Sequence, residues 1–173
     1  ANVDDWFYGQ STLSFAQDNG SSSVDVEEAY VDTLSLPYGF GARIGRFYSD
    51  VAFQNPVHSH AWDFTDAPLA YDAFLGSQYG DDGLRVNWVA PTNLLLEFGI
   101  EAYHGNRFPG GDSRHSDSPL GGAHSAFVHL GGDFDDSNSW KLGLSHLRVQ
   151  PRDRQSQNGG ADTSFDGDSK LTV

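Results

Sequence analysis

The 173-residue chain contains no cysteine and no methionine. The missing cysteine excludes disulfides, zinc–thiolate sites and thiol nucleophiles. Because no methionine stands at position 1, we interpret Ala1 as a processed terminus left by the removal of a secretory signal peptide. The sequence therefore predicts a location outside the cytoplasm.

Basic residues and long apolar runs are also scarce. Lys and Arg number 10 against 24 Asp and Glu, a formal net charge of −14, so no nucleic acid is expected as a partner. The longest apolar cluster is 94–96, far short of the roughly 20 residues that a membrane helix needs. A membrane β-strand needs only about 9 to 11 residues with apolar side chains at every second position, so a membrane β-barrel fits the sequence.

Alternation of apolar and polar residues is the main signal that is present. It is clearest at 94–103, where Leu94, Leu96, Phe98, Ile100 and Ala102 share one face. Further strands are predicted at 6–15, 26–34, 40–48, 84–90, 123–132, 140–149 and 169–173. No helical period of useful length is found. The pattern indicates an all-β fold.

The connections between these strands alternate in length. Short turns at 37–39, 91–93 and 135–138 are rich in turn-forming residues, whereas the connections at 49–82, 104–122 and 150–167 are long and polar. Short turns on one side and long loops on the other are typical of outer-membrane β-barrels. The aromatic residues Tyr38, Phe40, Trp88, Phe134 and Trp140 lie beside the short turns and predict an interfacial girdle, with Phe47, Tyr48 and Tyr103 as the outer girdle.

We therefore predict an antiparallel up-and-down transmembrane β-barrel in a bacterial outer membrane, with about eight strands visible. Residues 1–173 form a single barrel domain or the N-terminal part of a larger one. Apolar side chains then face outer-membrane lipid, and the alternate charged residues line the pore: Glu28, Asp32, Arg43, Arg85, Glu97, Glu101 and Lys141. The alternative is a secreted soluble β-sandwich that buries the same apolar faces and binds metal or carbohydrate through its loops.

Two stretches of sequence carry a family resemblance. The segments 27–30, 36–39 and 41–47 resemble the hairpin of Gram-negative outer-membrane porins. The segment Asn55–Phe64, which reads NPVHSHAWDF, and the following DAPL at 66–69 resemble a loop of porin-like or receptor-like barrel proteins, some of them labelled zinc-regulated. The resemblance covers residues 26–150 and implies an outer-membrane passage or receptor. The short last strand and the lack of a terminal aromatic residue favour part of a larger barrel.

The best metal candidate lies in the long connection at 49–82. In an extended segment His58 and His60 place both imidazoles on one side, and Asp63 or Asp66 can complete a set of nitrogen and oxygen ligands. We predict a site for a divalent metal such as zinc at His58, His60 and Asp63. The alternative is that these histidines form hydrogen bonds that hold the loop inside the lumen.

The predicted pore residues comprise four acids and three bases, which suggests a polar passage for a small solute. Acidic residues in the loops would enrich cations at its mouth; they include Asp50, Asp63, Asp66, Asp72, Asp81, Asp82, Asp112 and Asp117. Alternatively, the lumen charges pair and close a narrow barrel, or the barrel is an adhesive surface protein through which nothing passes.

Catalysis is not predicted. The neighbouring pairs Ser125 with His124 and Ser145 with His146 would point to opposite sides of their strands. The sequence also contains no Gly-x-Ser-x-Gly elbow.

Overall fold

The structure, a computed structural model, describes residues 3–18, 20–111, 120–158 and 161–173, so that Asp112 and Asp117 lie outside the described residues. Its elements, in chain order, are β1 (Phe7–Asp18), β2 (Ser21–Thr33), β3 (Phe40–Tyr48), α1 (Leu69–Leu75), β4 (Gly80–Val89), β5 (Leu95–Tyr103), β6 (Ala123–Asp135), β7 (Asn138–Val149), β8 (Arg154–Asn158), β9 (Ala161–Phe165) and β10 (Ser169–Thr172). Short 3-10 turns occupy Pro37–Gly39 and Ser59–Ala61.

Eight strands form one antiparallel sheet. Its order is β1-β2-β3-β4-β5-β6-β7-β10, so that each strand pairs with the next strand of the sheet along the chain. The strands β8 and β9 form a separate hairpin. The predicted all-β, antiparallel, up-and-down fold is confirmed. Within the described residues the sheet is open, because β1 and β10 occupy its two edges and do not pair with each other.

All eight predicted strands are present, whereas the hairpin β8–β9 and the helix α1 were missed. Both lie inside connections that the sequence analysis describes as long and polar. The hairpin sequences RQSQN and ADTSF show no apolar alternation, and α1 has only seven residues, too few for a helical period. Gly76, in the left-handed conformation at φ 63°, ends that helix. No helix among the described residues is long and apolar enough to cross a membrane.

The cross-strand pairing sorts the side chains into two faces. One row runs from Asp32 through Arg43, Arg85, Glu101 and Ser125 to Leu147. The next row, on the opposite face, runs from Val86 through Ile100 and Ala126 to His146. We call the first side the polar face and the second the apolar face. The seven charged residues predicted to share one side lie in the register of the polar face, whereas Arg46, Asp82 and Arg148 lie in that of the apolar face.

The segment 49–79, which connects β3 to β4, lies against one end of the polar face. Its residues Val51, Leu75 and Tyr79 pack there in the buried core. The sheet supplies the other core residues: Phe47, Tyr103, Ala123, Leu147 and Val149. The predicted outer girdle is therefore wrong for Phe47 and Tyr103. Both rings belong to the polar-face register and are fully buried beneath this segment.

Candidate functional site on the polar face

The sheet buries polar side chains and exposes apolar ones. On the polar face Glu28, Arg85 and Glu101 retain less than a tenth of their accessible surface. On the apolar face Ile44, Ile100 and Leu142 are 62%, 64% and 65% exposed. A soluble sheet normally has the opposite distribution, with its apolar side against the core. The candidate functional site is therefore sought on the polar face, where charged side chains are buried.

Arg85 is the centre of the polar face. Its Nη2 lies 2.7 Å from Oε1 of Glu101, and its Nη1 lies 2.9 Å from Oδ2 of Asp50. The hydroxyls of Ser49 and Ser125 donate to the second oxygen of Glu101. Burial raises the pKa of the Asp50 carboxyl, against the opposing effect of Arg85. Arg85 thus forms ion pairs with both Asp50 and Glu101. The hydroxyls of Ser49 and Ser125 further stabilise the carboxylate of Glu101.

Two smaller groups flank Arg85 on the polar face. Arg43 forms a two-pronged pair with Asp32, at 2.7 Å and 2.8 Å, and its guanidinium lies 3.8 Å from the ring centroid of Tyr30. Glu97 lies 3.1 Å from Nδ1 of His129 and accepts a 2.9 Å hydrogen bond from the amide of Asn87.

Of the seven residues predicted to line a pore, six are thus held in contacts on this face. Glu28 is bound by a histidine of the connecting segment. Lys141 lies on the same face, in register with Gly131 of β6. It is exposed and makes no ion pair within 4 Å in the described part of the chain.

The connecting segment is fastened to the polar face by directed hydrogen bonds. The backbone N–H of Asp50 donates to Glu101 at 3.1 Å, and that of Ala52 donates to Ser145 at 2.9 Å. Asn55, which is fully buried, joins the two ends of the segment. Its amide donates to the carbonyls of Ser49 and Tyr79, and its oxygen accepts from the N–H of Tyr79. The segment is therefore fastened to the sheet near its beginning, and Asn55 holds its two ends together.

His58 links the middle of this segment to β2. Its Nε2 lies 2.9 Å from Glu28 and its Nδ1 lies 3.4 Å from Glu27. The ring of His60 stacks on it at 5.6 Å, so the predicted proximity of the two imidazoles is present. Asp63 is exposed. Among the described residues no group of three or more potential ligands is arranged to hold a metal ion. The contact of His58 with Glu28 is of the kind that the loop-holding alternative expects.

Two of the acidic residues assigned to a loop, Asp81 and Asp82, lie in a strand instead, and Asp82 pairs with Arg46 at 2.8 Å. Asp81 belongs to β4 and is almost fully buried. Its carboxylate accepts hydrogen bonds of 2.8 Å and 2.9 Å from the backbone N–H groups of Gly105 and Asn106. It therefore orders the turn that follows β5 and does not contribute to an exposed acidic mouth.

Sequence reasoning missed several members of the site. Ser49 and Asn55 were not singled out, and Asp50, Ser125 and His129 were not assigned to this site. Ser125 and His129 follow the period of two from Phe127, which places them on the polar face of β6. The alternation within β6 was therefore sufficient to predict the face on which these two side chains lie. No local pattern in the sequence marks Ser49 or Asn55, because their partners lie in distant segments.

The neighbouring serine and histidine pairs are separated as predicted. Ser125 and Ser145 are buried on the polar face, whereas His124 and His146 are exposed on the other side. Ser145 accepts from Ala52 and Ser125 donates to Glu101. Both hydroxyls are thus engaged in holding the segment and the sheet together.

Comparison with known proteins gives one relative of undefined role. An uncharacterized protein of Aquifex aeolicus (strain VF5) is 40% identical over 105 residues, which are 61% of this chain and 22% of that protein. The chain thus spans about a fifth of the length of the curated relative that it matches. No protein-family model matches the chain, and no solved structure matches it.

Proposed function

We propose that this chain forms part of the wall of a β-barrel in a bacterial outer membrane, acting as a passage or receptor for a small polar solute. The observation that carries this proposal is the inverted polarity of the sheet. Charged and hydroxyl side chains are buried on one face, and large apolar side chains are exposed on the other. This is the distribution of a barrel whose exterior contacts lipid and whose interior is polar.

The apolar face is too extensive for a surface in contact with water. Its exposed residues span β2 to β7 and include Val31, Ile44, Val86, Phe98, Ile100, Leu130, Leu142 and Leu144. Exposed apolar side chains occur singly on soluble proteins, but a continuous patch of this kind indicates a contact surface. Lipid acyl chains cover such a surface on every side of a barrel. The exposed rings of Tyr38, Phe40 and Phe134 at the short-turn end suit an interfacial girdle.

A membrane barrel needs a closed sheet, because unpaired backbone groups are not tolerated in the hydrocarbon region. The described sheet leaves β1 and β10 at its edges, and the similar Aquifex protein extends well beyond the matched region. We propose that further strands of a longer protein close the barrel. The passage and receptor roles belong to that complete barrel.

The segment 49–79 would narrow the interior of this barrel. It is fastened to Glu101, Ser145 and Glu28 on the polar face. A passage restricted in this way favours small solutes, and its hydrogen-bonding groups favour polar ones. Most charged residues on the polar face are held in ion pairs. Selectivity among solutes would therefore depend on the few charged groups that are not held in this way.

A divalent metal such as zinc is the specific solute that the histidines suggest. The test replaces His58 and His60 together with alanine and compares zinc binding and conductance with those of the parent chain. A metal role predicts a loss that needs both histidines. A loop-holding role predicts that His58→Ala alone alters conductance, that His60→Ala has little effect, and that zinc binding is unchanged.

The membrane assignment is tested by SDS electrophoresis of cold and boiled samples of the native, detergent-extracted protein. A folded barrel resists SDS until it is heated, so we expect a band that shifts on boiling. A band well above 18.9 kDa would agree with a larger barrel. Absence of a shift, in a protein that stays soluble without detergent, would refute the proposal.

The same experiment separates the barrel from the secreted β-sandwich. A sandwich predicts that Ile44, Ile100 and Leu142 are buried between two sheets, whereas each is more than three-fifths exposed. A sandwich also needs no detergent. Passage and adhesion are separated by liposome swelling in small sugars, since an adhesive barrel would give no swelling.

A further inference from the structure

Strand β7 is longer than the strand that pairs with its outer edge. β10 pairs with His146–Val149, and Val173 exchanges two backbone hydrogen bonds with Ser145, at 2.7 Å and 3.0 Å. Within the described residues no strand lies beside 138–144 on that edge. In an antiparallel strand the N–H and C=O groups of one residue point to one neighbouring strand, and those of the next residue point to the other. The N–H and C=O groups of Gly143 and Lys141 therefore face this open edge.

A cavity of about 380 Å³ lies beside the open edge. Residues 141–145 of β7, His129 and Val173 line it. The segment 49–79 contributes Asp50 and the less polar residues Ala52, Phe53, Pro56, Val57 and Tyr71. The cavity thus provides both unpaired hydrogen-bonding groups and an apolar surface. These are the two features by which a protein binds an added β-strand.

The positive charge of Lys141 favours an acidic residue on a strand that binds this edge. The other two basic residues of the polar face each have carboxylate partners, Arg43 with Asp32 and Arg85 with Glu101 and Asp50. Lys141 has no such partner within 4 Å among the residues described. Its cross-strand neighbour on β6 is Gly131, which offers no side chain. Glu97 on the same face interacts with the charge of Lys141 at longer range, and a carboxylate directly across the open edge would form a direct ion pair with it.

We propose that the edge of β7 at 138–144 binds a further β-strand that continues the line of β10 and carries an acidic residue opposite Lys141. The occupant to which we commit is a strand of the same polypeptide in a longer protein, in keeping with the greater length of the Aquifex relative. Val173 pairs with Ser145. If the residues that follow Val173 are numbered from one, the second faces Gly143 and the fourth faces Lys141. The first and third residues lie beside Leu144 and Leu142.

The side chains at the first and third positions are apolar, because they continue the apolar face. This part of the inference rests on the proposed contact with lipid. The strand pairing and the acidic residue do not rest on it, since they follow from the open ladder and from Lys141.

The test extends the chain beyond Val173 by five residues in detergent micelles. The first and third added residues are leucine, the second and fifth are threonine, and the fourth is glutamate in one version and lysine in the other. The readout is hydrogen exchange at the amides of Gly143 and Lys141. We expect either extension to slow exchange at Gly143 about tenfold or more relative to the parent chain. The glutamate version should exceed the lysine version by about two- to fivefold, and K141E should reverse that order.

Two controls make the test decisive. An extension with proline as its second added residue cannot donate to the carbonyl of Gly143, which weakens the ladder at that point, and should protect the amide of Gly143 less than the threonine version does. Gly143→Cys places the only cysteine of the chain at the edge, and a disulfide-linked dimer would show that a second copy occupies it. That dimer, unprotected amides in the glutamate version, or equal protection by glutamate and lysine would each overturn the proposal. Heat-shift electrophoresis of the native, detergent-extracted protein tests the membrane assignment separately.

Discussion

At the scale of single residues, the polar face depends on one buried cation. Arg85 is 9% exposed and contacts Asp50 and Glu101, whose side chains are themselves largely or wholly buried. Bringing such charges out of water is costly, and their mutual attraction offsets that cost only while all partners are present. Removing the cation would leave two carboxylates without their counter-charge.

Arg85→Met tests this dependence. We expect the variant to lose about 3–5 kcal/mol of unfolding free energy, because it strands two buried carboxylates. Urea unfolding in detergent micelles measures the loss. The matched control is Arg148→Met, which breaks the exposed pair of Arg148 with Asp168 and should cost far less stability than Arg85→Met. Equal losses in the two variants would contradict the central role of Arg85.

Asp50 predicts a pH dependence of stability. Burial raises the pKa of its carboxyl in the folded state, so its stabilising contribution is present below the unfolded pKa of about 3.9 and is lost as pH rises through the folded value. The unfolding free energy of the parent chain should therefore fall relative to that of Asp50→Asn as pH increases from about 4. Urea unfolding of both proteins across this range measures the difference. A difference that stays constant or changes in the opposite direction would contradict the assignment.

At the scale of elements, the strands were predictable and the packing of the connections was not. Alternation identified β5 through Leu96, Phe98 and Ile100, because strand geometry sends these side chains to one face. Which face is buried depends on the segment that lies over it. That segment is held by contacts between distant parts of the chain, such as Asn55 with Tyr79. Phe47 and Tyr103 were assigned to the wrong environment for this reason.

The candidate site residues show the same difference between strand positions, which were predictable, and contacts of the connecting segment, which were not. The charged positions Arg43, Arg85 and Glu101 follow from the period of two. Their partners are only partly predictable, since Asp32 lies on the neighbouring strand of a predicted hairpin but Asp50 belongs to the connecting segment. The proximity of His58 to Glu28 joins residues 30 positions apart. No spacing in the sequence indicates that contact.

Asn55→Ala tests whether the segment 49–79 restricts a passage. The substitution removes three hydrogen bonds of a fully buried amide and leaves backbone groups of Ser49 and Tyr79 without partners. We expect a loss of at least about 2 kcal/mol in unfolding free energy and faster swelling of liposomes in small sugars. Gln54→Ala is the matched control and should change stability by no more than about 0.5 kcal/mol. Unchanged swelling in a destabilised Asn55→Ala protein would show that the segment does not limit passage.

At the scale of the whole molecule, the sheet divides the protein into two environments. Its polar face and the segment 49–79 enclose the paired charges, and its apolar face presents large side chains outward. The proposed contact of the apolar face with lipid would account for these exposed side chains.

The most direct test of this account places spin labels on the two faces in lipid vesicles. Because the chain has no cysteine, Lys141→Cys and Leu142→Cys each carry one label on adjacent, exposed residues of β7 that point to opposite faces. Ile100→Cys adds a position on β5. The account predicts that the labels at 142 and 100 collide preferentially with oxygen dissolved in the lipid, and the label at 141 with a water-soluble nickel complex. Equal access of the nickel complex to all three labels would contradict a lipid-facing apolar surface.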